Sequence, residues 1–242
     1  MSPGRRIQWV FLDAGETLFD VRGPGPEFHL ALAELDPAIN AERCASAFEA
    51  ASRGLEKPDH VGPPPDYCVD QILAARRRER FVESLVDGLG ISARQWHLAR
   101  QHIQAALAGR HLFALYPDVP PTLRALRRAG YRLGIISNWS PELVAFCADH
   151  GIGSAFELIL ASEAEGYAKP SPALFQRALT RAGADPEEAV HVGDSLEHDV
   201  LGAAAVGMAA VLVDRGGYYP PGIWRPTVGR LDELPAELVR LD

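Results

Sequence analysis

The chain has 242 residues, of which 47% are hydrophobic and 23% charged, and carries a formal net charge of −8. That length suits one large domain or a core with a smaller insert, in the range of an ordinary soluble globular protein. The acidic balance removes the counterion release that drives nucleic-acid binding. No stretch approaches the roughly 18 apolar residues of a membrane helix, so neither nucleic acid nor membrane is an expected partner.

From the N-terminus, Ile7 to Asp13 reads as a buried strand ending on an acid. Segments 21–27 and 58–66 are rich in Pro and Gly and read as loops. Residues 27–35, 40–55, 67–89 and 92–108 have helical spacing, with no convincing strand among them. A different pattern opens near Pro117. Helix 118–129 leads to strand 132–137, and Ser140-Pro141-Glu142 has the look of an N-cap followed by a Pro at the first helical position. Strand 157–161 follows, then a helix opened by Ser171-Pro172, strand 189–193, helix 196–206 and strand 209–213. Gly153 and Gly183 stand where helices should stop.

Alternation of strand and helix from 118 onward predicts a parallel sheet with crossover helices. The first strand joins that sheet because it is apolar throughout. The expected fold is therefore α/β: a Rossmann-like parallel sheet core with helices on both faces and an inserted all-helical cap domain. Residues 1–21 and 112–242 form the core and 22–111 the cap. Cys44, Cys68 and Cys147 are scattered and odd in number, which argues against a disulfide framework or a zinc knuckle. They point to reduced thiols and a cytoplasmic setting.

In open parallel sheets, ligands bind beyond the C-terminal strand ends. Those ends carry Asp13, Ser137-Asn138, Ser162-Glu163, Gly193-Asp194 and Asp214. Asp13 and Asp194 converging on one crevice would repel unless a cation neutralised them. Mg2+ suits one or two carboxylates together with a substrate phosphate. The chain has two lysines, Lys57 and Lys169; Lys169 can supply compensating charge, and Ser137 can hold phosphate oxygens. Metal, lysine, hydroxyl and a nucleophilic acid are the parts of phosphoryl transfer.

These residues, in this order, resemble the four motifs of the haloacid dehalogenase (HAD) superfamily, and the helical insert resembles the cap of its IA-type subfamily. Val10-Phe11-Leu12-Asp13-Ala14-Gly15-Glu16-Thr17-Leu18 looks like the first motif and Ile135-Ile136-Ser137-Asn138 like the second. Lys169-Pro170-Ser171-Pro172 looks like the third, and His191-Val192-Gly193-Asp194 through Asp199-Val200 like the fourth. The resemblance implies that Asp13 is a nucleophile forming an aspartyl-phosphate. It implies Mg2+ held by Asp13, the Gly15 carbonyl and Asp194, with Asp199 orienting metal-bound water. Ser137, Asn138 and Lys169 would bind the phosphate of a small phosphorylated metabolite, and the cap would select it.

One departure matters. The family's phosphatases carry a second Asp, a general acid, where this chain has Gly15, and Glu16 replaces the following Gly. Losing a general acid typically costs about 10²–10⁴-fold in rate. Glu16 either substitutes for it or faces away and bonds locally. Three readings stay open: a slow or specialised phosphatase, a carbon–halogen or carbon–phosphorus hydrolase, and a non-catalytic phosphate- and metal-binding protein. A phosphonate hydrolase would need Lys57 as a Schiff-base lysine. His191 reads as a packed core histidine, His198 as a helix-turn residue, and Trp139 as either lining the substrate entrance or packing.

Overall fold

The computed structural model describes residues 7–21, 26–34, 36–55, 71–92, 94–107 and 113–242. Lys57, Cys68 and the expected loop 58–66 lie outside the described residues. In chain order the elements are β1 (Trp9–Leu12), β2 (Phe19–Val21), α1 (Pro26–Ala33), α2 (Ala41–Leu55), α3 (Gln71–Gly88), α4 (Trp96–Leu107), β3 (Phe113–Leu115), α5 (Val119–Arg128), β4 (Arg132–Ser137) and α6 (Leu143–Asp149). Then come β5 (Leu158–Ala161), α7 (Ser162–Glu165), α8 (Pro172–Ala182), β6 (Ala189–Gly193), α9 (Gly202–Ala204), β7 (Ala209–Val213), β8 (Thr227–Val228) and α10 (Leu234–Leu241). Two compact units result. One holds the residues up to Asp20 and from Leu115 to Asp242; the other holds the described residues between Val21 and Ala114.

The first unit is built on a six-stranded sheet in the order β5-β4-β1-β6-β7-β8. Every pairing is parallel. Both faces are covered, so β1 is buried at all four positions and reads as an unbroken apolar run. On one face Trp9, Phe11, Ile136, Leu160, Phe175 and Leu212 pack into a common core. Burying each such side chain stabilises the fold by about 1.5–3 kcal/mol. Leu12 pairs with Ile135 of β4 on one side and Val192 of β6 on the other. The sheet order thus reverses at β1, and the C-terminal ends of β4, β1 and β6 flank one crevice, the place where such sheets bind ligands.

Helix ends explain two local outcomes. Ser171 caps α8, its side chain accepting from the Ala173 N–H at 3.3 Å, with Pro172 at the first helical position. Gly183 ends that helix in the left-handed conformation. Ser140-Pro141 does not cap a helix: the Ser140 carbonyl accepts from the Leu143 N–H at 3.2 Å in a separate turn, and α6 starts at Leu143. Gly151, at φ +73°, rather than Gly153, follows the end of α6. The expected helix 196–206 is a π-helical turn over Leu196–Leu201 followed by the short α9. The wide turn arises where the Val200 N–H reaches back to the Ser195 carbonyl at 3.2 Å.

The second unit packs Leu32, Ile39, Cys44, Ala47, Val82, Leu85, Leu89, Ala99 and Ile103 into its own core, with Phe48 and Phe81 edge-to-face at 5.4 Å. Among the described residues, no helix is long and apolar enough to cross a membrane.

Candidate active site

Asp13 is the first residue past β1, its N–H donating to the Val192 carbonyl at 2.9 Å. That bond fixes the acid between β1 and β6. Ser137 ends β4 and is 2% exposed; Asp194 follows β6. Lys169 precedes α8 and is 3% exposed. Its Nζ lies 2.5 Å from Asp13 Oδ1 and 2.5 Å from Asp199 Oδ1. One ammonium group is therefore shared by two buried carboxylates.

Asn138, beside Ser137, spends both ends of its amide on the Lys169 backbone. Its Oδ1 accepts from the Lys169 N–H at 2.7 Å and its Nδ2 donates to the Lys169 carbonyl at 3.0 Å. The structure gives it the position of a clamp that holds the lysine in the crevice. Asp199 is tied at both oxygens. Oδ2 accepts from the Ser195 N–H at 2.9 Å, and Oδ1 lies 2.9 Å from His191 Nε2. The π-helical turn delivers this side chain, and Gly193 makes room for it: a β-carbon there would sit 2.2 Å from Asp199 Cγ.

Electrostatics follows from burial. Desolvation pushes the Asp13 carboxyl above its usual range, against the opposing pull of Lys169. Asp199 is also buried, but Lys169 and His191 hold it well below the usual carboxylate range. One lysine cannot fully satisfy both acids, and Asp199, with more donors, holds the proton off more firmly. Burial and the Asp13 and Asp199 charges push Asp194 up to about 7. Burial pushes the His191 imidazole below its usual range, and its Nε2 faces the accepting Oδ1 of Asp199 at 2.9 Å, the place of an N–H donor. Its Nδ1 lone pair is buried without a partner.

Asp13, Asp194 and Asp199 each place an oxygen within 4.8 Å of the others. When all three are ionised, three carboxylates against one ammonium leave two negative charges, the charge of one hard dication. Asp199 is committed to protein donors at both oxygens, so Asp13 and Asp194 are the side chains whose chemistry fits such an ion. The Gly15 carbonyl accepts from the Thr17 N–H at 2.5 Å. A carbonyl oxygen keeps a second lone pair for another partner.

Glu16 sits at φ +50°, exposed, with Oε2 accepting from the Tyr116 hydroxyl at 2.8 Å. It is not among the carboxylates gathered around Asp13. Burial and the Glu16 contact raise the Tyr116 phenol above its ordinary range. Arg215 stacks on the Tyr116 ring at 3.7 Å and donates to the Thr17 carbonyl at 2.8 Å and to Asp118 Oδ2 at 2.9 Å. Trp139 packs on Phe19 and Phe146.

Sequence reading missed Thr17, whose hydroxyl lies 3.4 Å from Asp194 Oδ1, and the contact of His191 with Asp199. The one available signal for His191 was a polar residue alternating with Val190 and Val192 on a strand that ends at the site.

The protein is thus an α/β protein whose parallel sheet carries a lysine-bridged pair of aspartates at its reversal point. The chain belongs to the haloacid dehalogenase-like hydrolase family, whose profile matches residues 7–207. The human haloacid dehalogenase-like hydrolase domain-containing protein 3 is 44% identical over 88% of this chain and 84% of its own length. A phosphoserine phosphatase of Thermus thermophilus is 39% identical over 57% of this chain, and a glyceraldehyde 3-phosphate phosphatase of Methanopyrus kandleri 41% identical over 43%. The chain spans 55% and 45% of those two relatives. Among solved structures, a 2-haloacid dehalogenase from Pseudomonas syringae is 29% identical with a TM-score of 0.64, covering 98% of this chain and all of its own. The magnesium-bound HAD-hydrolase YfnB of Bacillus subtilis shares the fold at a TM-score of 0.69 and 20% identity, over 96% of this chain and 99% of its own.

Proposed function

We propose that this chain hydrolyses a small phosphate ester, with Asp13 as nucleophile and Mg2+ as the bound ion. The observation that carries the reading is the crevice itself: a buried acid at the switch point, bridged by Lys169, with a second acid left undercompensated beside it. The phosphatase names of the relatives above support it. Asp13 Oδ attacks phosphorus and forms an acyl phosphate; water then releases orthophosphate and restores the carboxylate. Lys169 and the Ser137 hydroxyl hold the transferred group, and Asn138 keeps the lysine in place. Asp13, Asp194 and the Gly15 carbonyl would hold Mg2+, which when bound neutralises charge on the transferred group. Asp199 orients through its fixed carboxylate. The helical segment inserted after the first motif is the expected source of substrate selection.

Gly15, together with the 29% identity to the 2-haloacid dehalogenase, favours a second reading, displacement of halide from a 2-haloacid, which needs no proton on the leaving group. The carboxylate trio argues for the first. The test is orthophosphate release from a panel of phosphate esters, with Mg2+ and with chelator, beside Asp13→Asn. Metal-dependent release that Asp13→Asn abolishes supports the reading. Halide release in chelator, with no phosphate release, overturns it.

A further inference from the structure

Among the described residues, nitrogen and phenol donors around the carboxylate cluster are engaged by carboxylates. The Lys169 ammonium bridges Asp13 Oδ1 and Asp199 Oδ1. Asp199 accepts at both oxygens, from Lys169 and His191 at one and from the Ser195 N–H at the other. The His191 Nε2–H points at Asp199, and the Tyr116 hydroxyl points at Glu16. Two residues past the nucleophile, Gly15 offers no side chain at all: a β-carbon there would meet only Trp139 Cζ3, at 3.8 Å, and otherwise open space. Among the described residues these donors thus serve to hold carboxylates in place, while on the reading proposed above the Ser137 hydroxyl serves the transferred phosphate and Asp194 the bound ion.

From this arrangement, and resting on the phosphohydrolase reading above, we infer that the site is matched to phosphates of acidic hydroxyls, acyl phosphates foremost, rather than to phosphates of alkyl alcohols. Asp13 Oδ forms a bond to phosphorus as the bond from phosphorus to the leaving oxygen breaks. The electron pair stays on that oxygen, which departs as carboxylate or phenolate with no proton transferred. Water then attacks the acyl phosphate on Asp13. Its two protons end on the released phosphate, as dihydrogen phosphate, and Asp13 returns as carboxylate. A carboxylic acid has a pKa near 4 and a phenol near 10, whereas a hydroxyl resembling water lies near 15.7. Only the last class depends on a proton donor to leave.

The experiment measures kcat/KM for orthophosphate release with Mg2+ on acetyl phosphate, 4-nitrophenyl phosphate, phenyl phosphate and benzyl phosphate, with Asp13→Asn as blank. Phenyl and benzyl phosphate differ little in size, so the comparison isolates the leaving group from binding. kcat/KM reports the first displacement even where loss of phosphate from Asp13 limits turnover. The expected order is acetyl, 4-nitrophenyl, phenyl, benzyl, with benzyl phosphate slower than acetyl phosphate by at least about 10²-fold, the lower value of a general acid. Rates on benzyl and acetyl phosphate within about tenfold of each other would overturn the inference and leave the phosphohydrolase reading standing. No release above the Asp13→Asn blank from any of the four overturns both.

Discussion

Gly15→Asp adds a carboxyl two residues past Asp13, at a position whose backbone admits a side chain. Gly15 is not among the left-handed glycines, and its added β-carbon would touch only Trp139 Cζ3, at 3.8 Å, an ordinary contact. Replacing a glycine at a compatible position stabilises a fold by about 0.4–1 kcal/mol through the unfolded chain. With Mg2+ bound the variant should therefore melt close to its parent, whereas without Mg2+ a fourth carboxylate near Asp13 and Asp194 should lower the melting temperature. A positioned general acid is worth about 10²–10⁴ in rate, or about 2.7–5.4 kcal/mol of barrier at 1.36 kcal/mol per tenfold. That gain falls on leaving groups that need a proton. Measured as kcat/KM with Mg2+, benzyl phosphate should rise by about 10² or more while acetyl phosphate stays nearly level. A benzyl phosphate rate unchanged within about threefold, with melting temperature and Mg2+ affinity intact, would mean that position 15 does not face the leaving oxygen, and the reasoning fails.

Three further outcomes follow from the same geometry. Lys169→Met strands two buried carboxylates; breaking such a pair costs about 3–5 kcal/mol, so thermal melting without Mg2+ should fall sharply and phosphate release should vanish. Gly193→Ala puts a β-carbon 2.2 Å from Asp199 Cγ; overpacking of this kind costs about 1–3 kcal/mol, and an unshifted melting curve with full activity would contradict the fit described here. Asp194, raised by burial from the ordinary carboxylate range to about 7, favours its protonated form in the fold. Its contribution opposes folding increasingly as pH rises from about 4 to about 7, the reverse of Asp199, whose lowered value adds stability that is lost as pH falls. If Asp194 holds Mg2+ as proposed, binding displaces its proton, so calorimetry in buffers of different ionisation enthalpy should detect proton release near pH 6 and little near pH 8; equal release at both would refute the assignment.

Much of this was legible because strands buried on both faces are written as apolar runs. Trp9–Leu12, Arg132–Ser137, Ala189–Gly193 and Ala209–Val213 announced themselves, and the polar residues that stop them marked the crevice. The pairs β2 and β3, at three residues each, and β8, at two, are too short for any alternation to register. Helix α10 carries an amphipathic Leu234–Leu238 spacing, but over eight residues, too few turns for the period to stand out. The shared lysine was foreseen as a charge, but its second carboxylate was not: Asp199 lies thirty residues downstream of Lys169 and reaches it only through a π-helical turn, a shape that residue spacing does not encode. For Asn138, sequence gives the type and place but not that both amide groups turn to the Lys169 backbone. Glu16 is similar: its sequence neighbours point to Asp13, yet its carboxyl meets a phenol a hundred residues away.

The central strand has a consequence for how the protein is made. β1 is four residues long, and its two neighbours are contributed by segments that begin at Arg132 and Ala189. Parallel pairing of this kind closes long loops before any contact rewards them, which makes it slow. On the ribosome, the strand that leads to Asp13 emerges before its sheet neighbours, and it gains its first flank only with Arg132–Ser137 and its second only with Ala189–Gly193. The crevice around Asp13 is thus completed late, and a chain truncated before Ala189 would carry Asp13 at the end of a strand with one side open, a template for pairing with other chains.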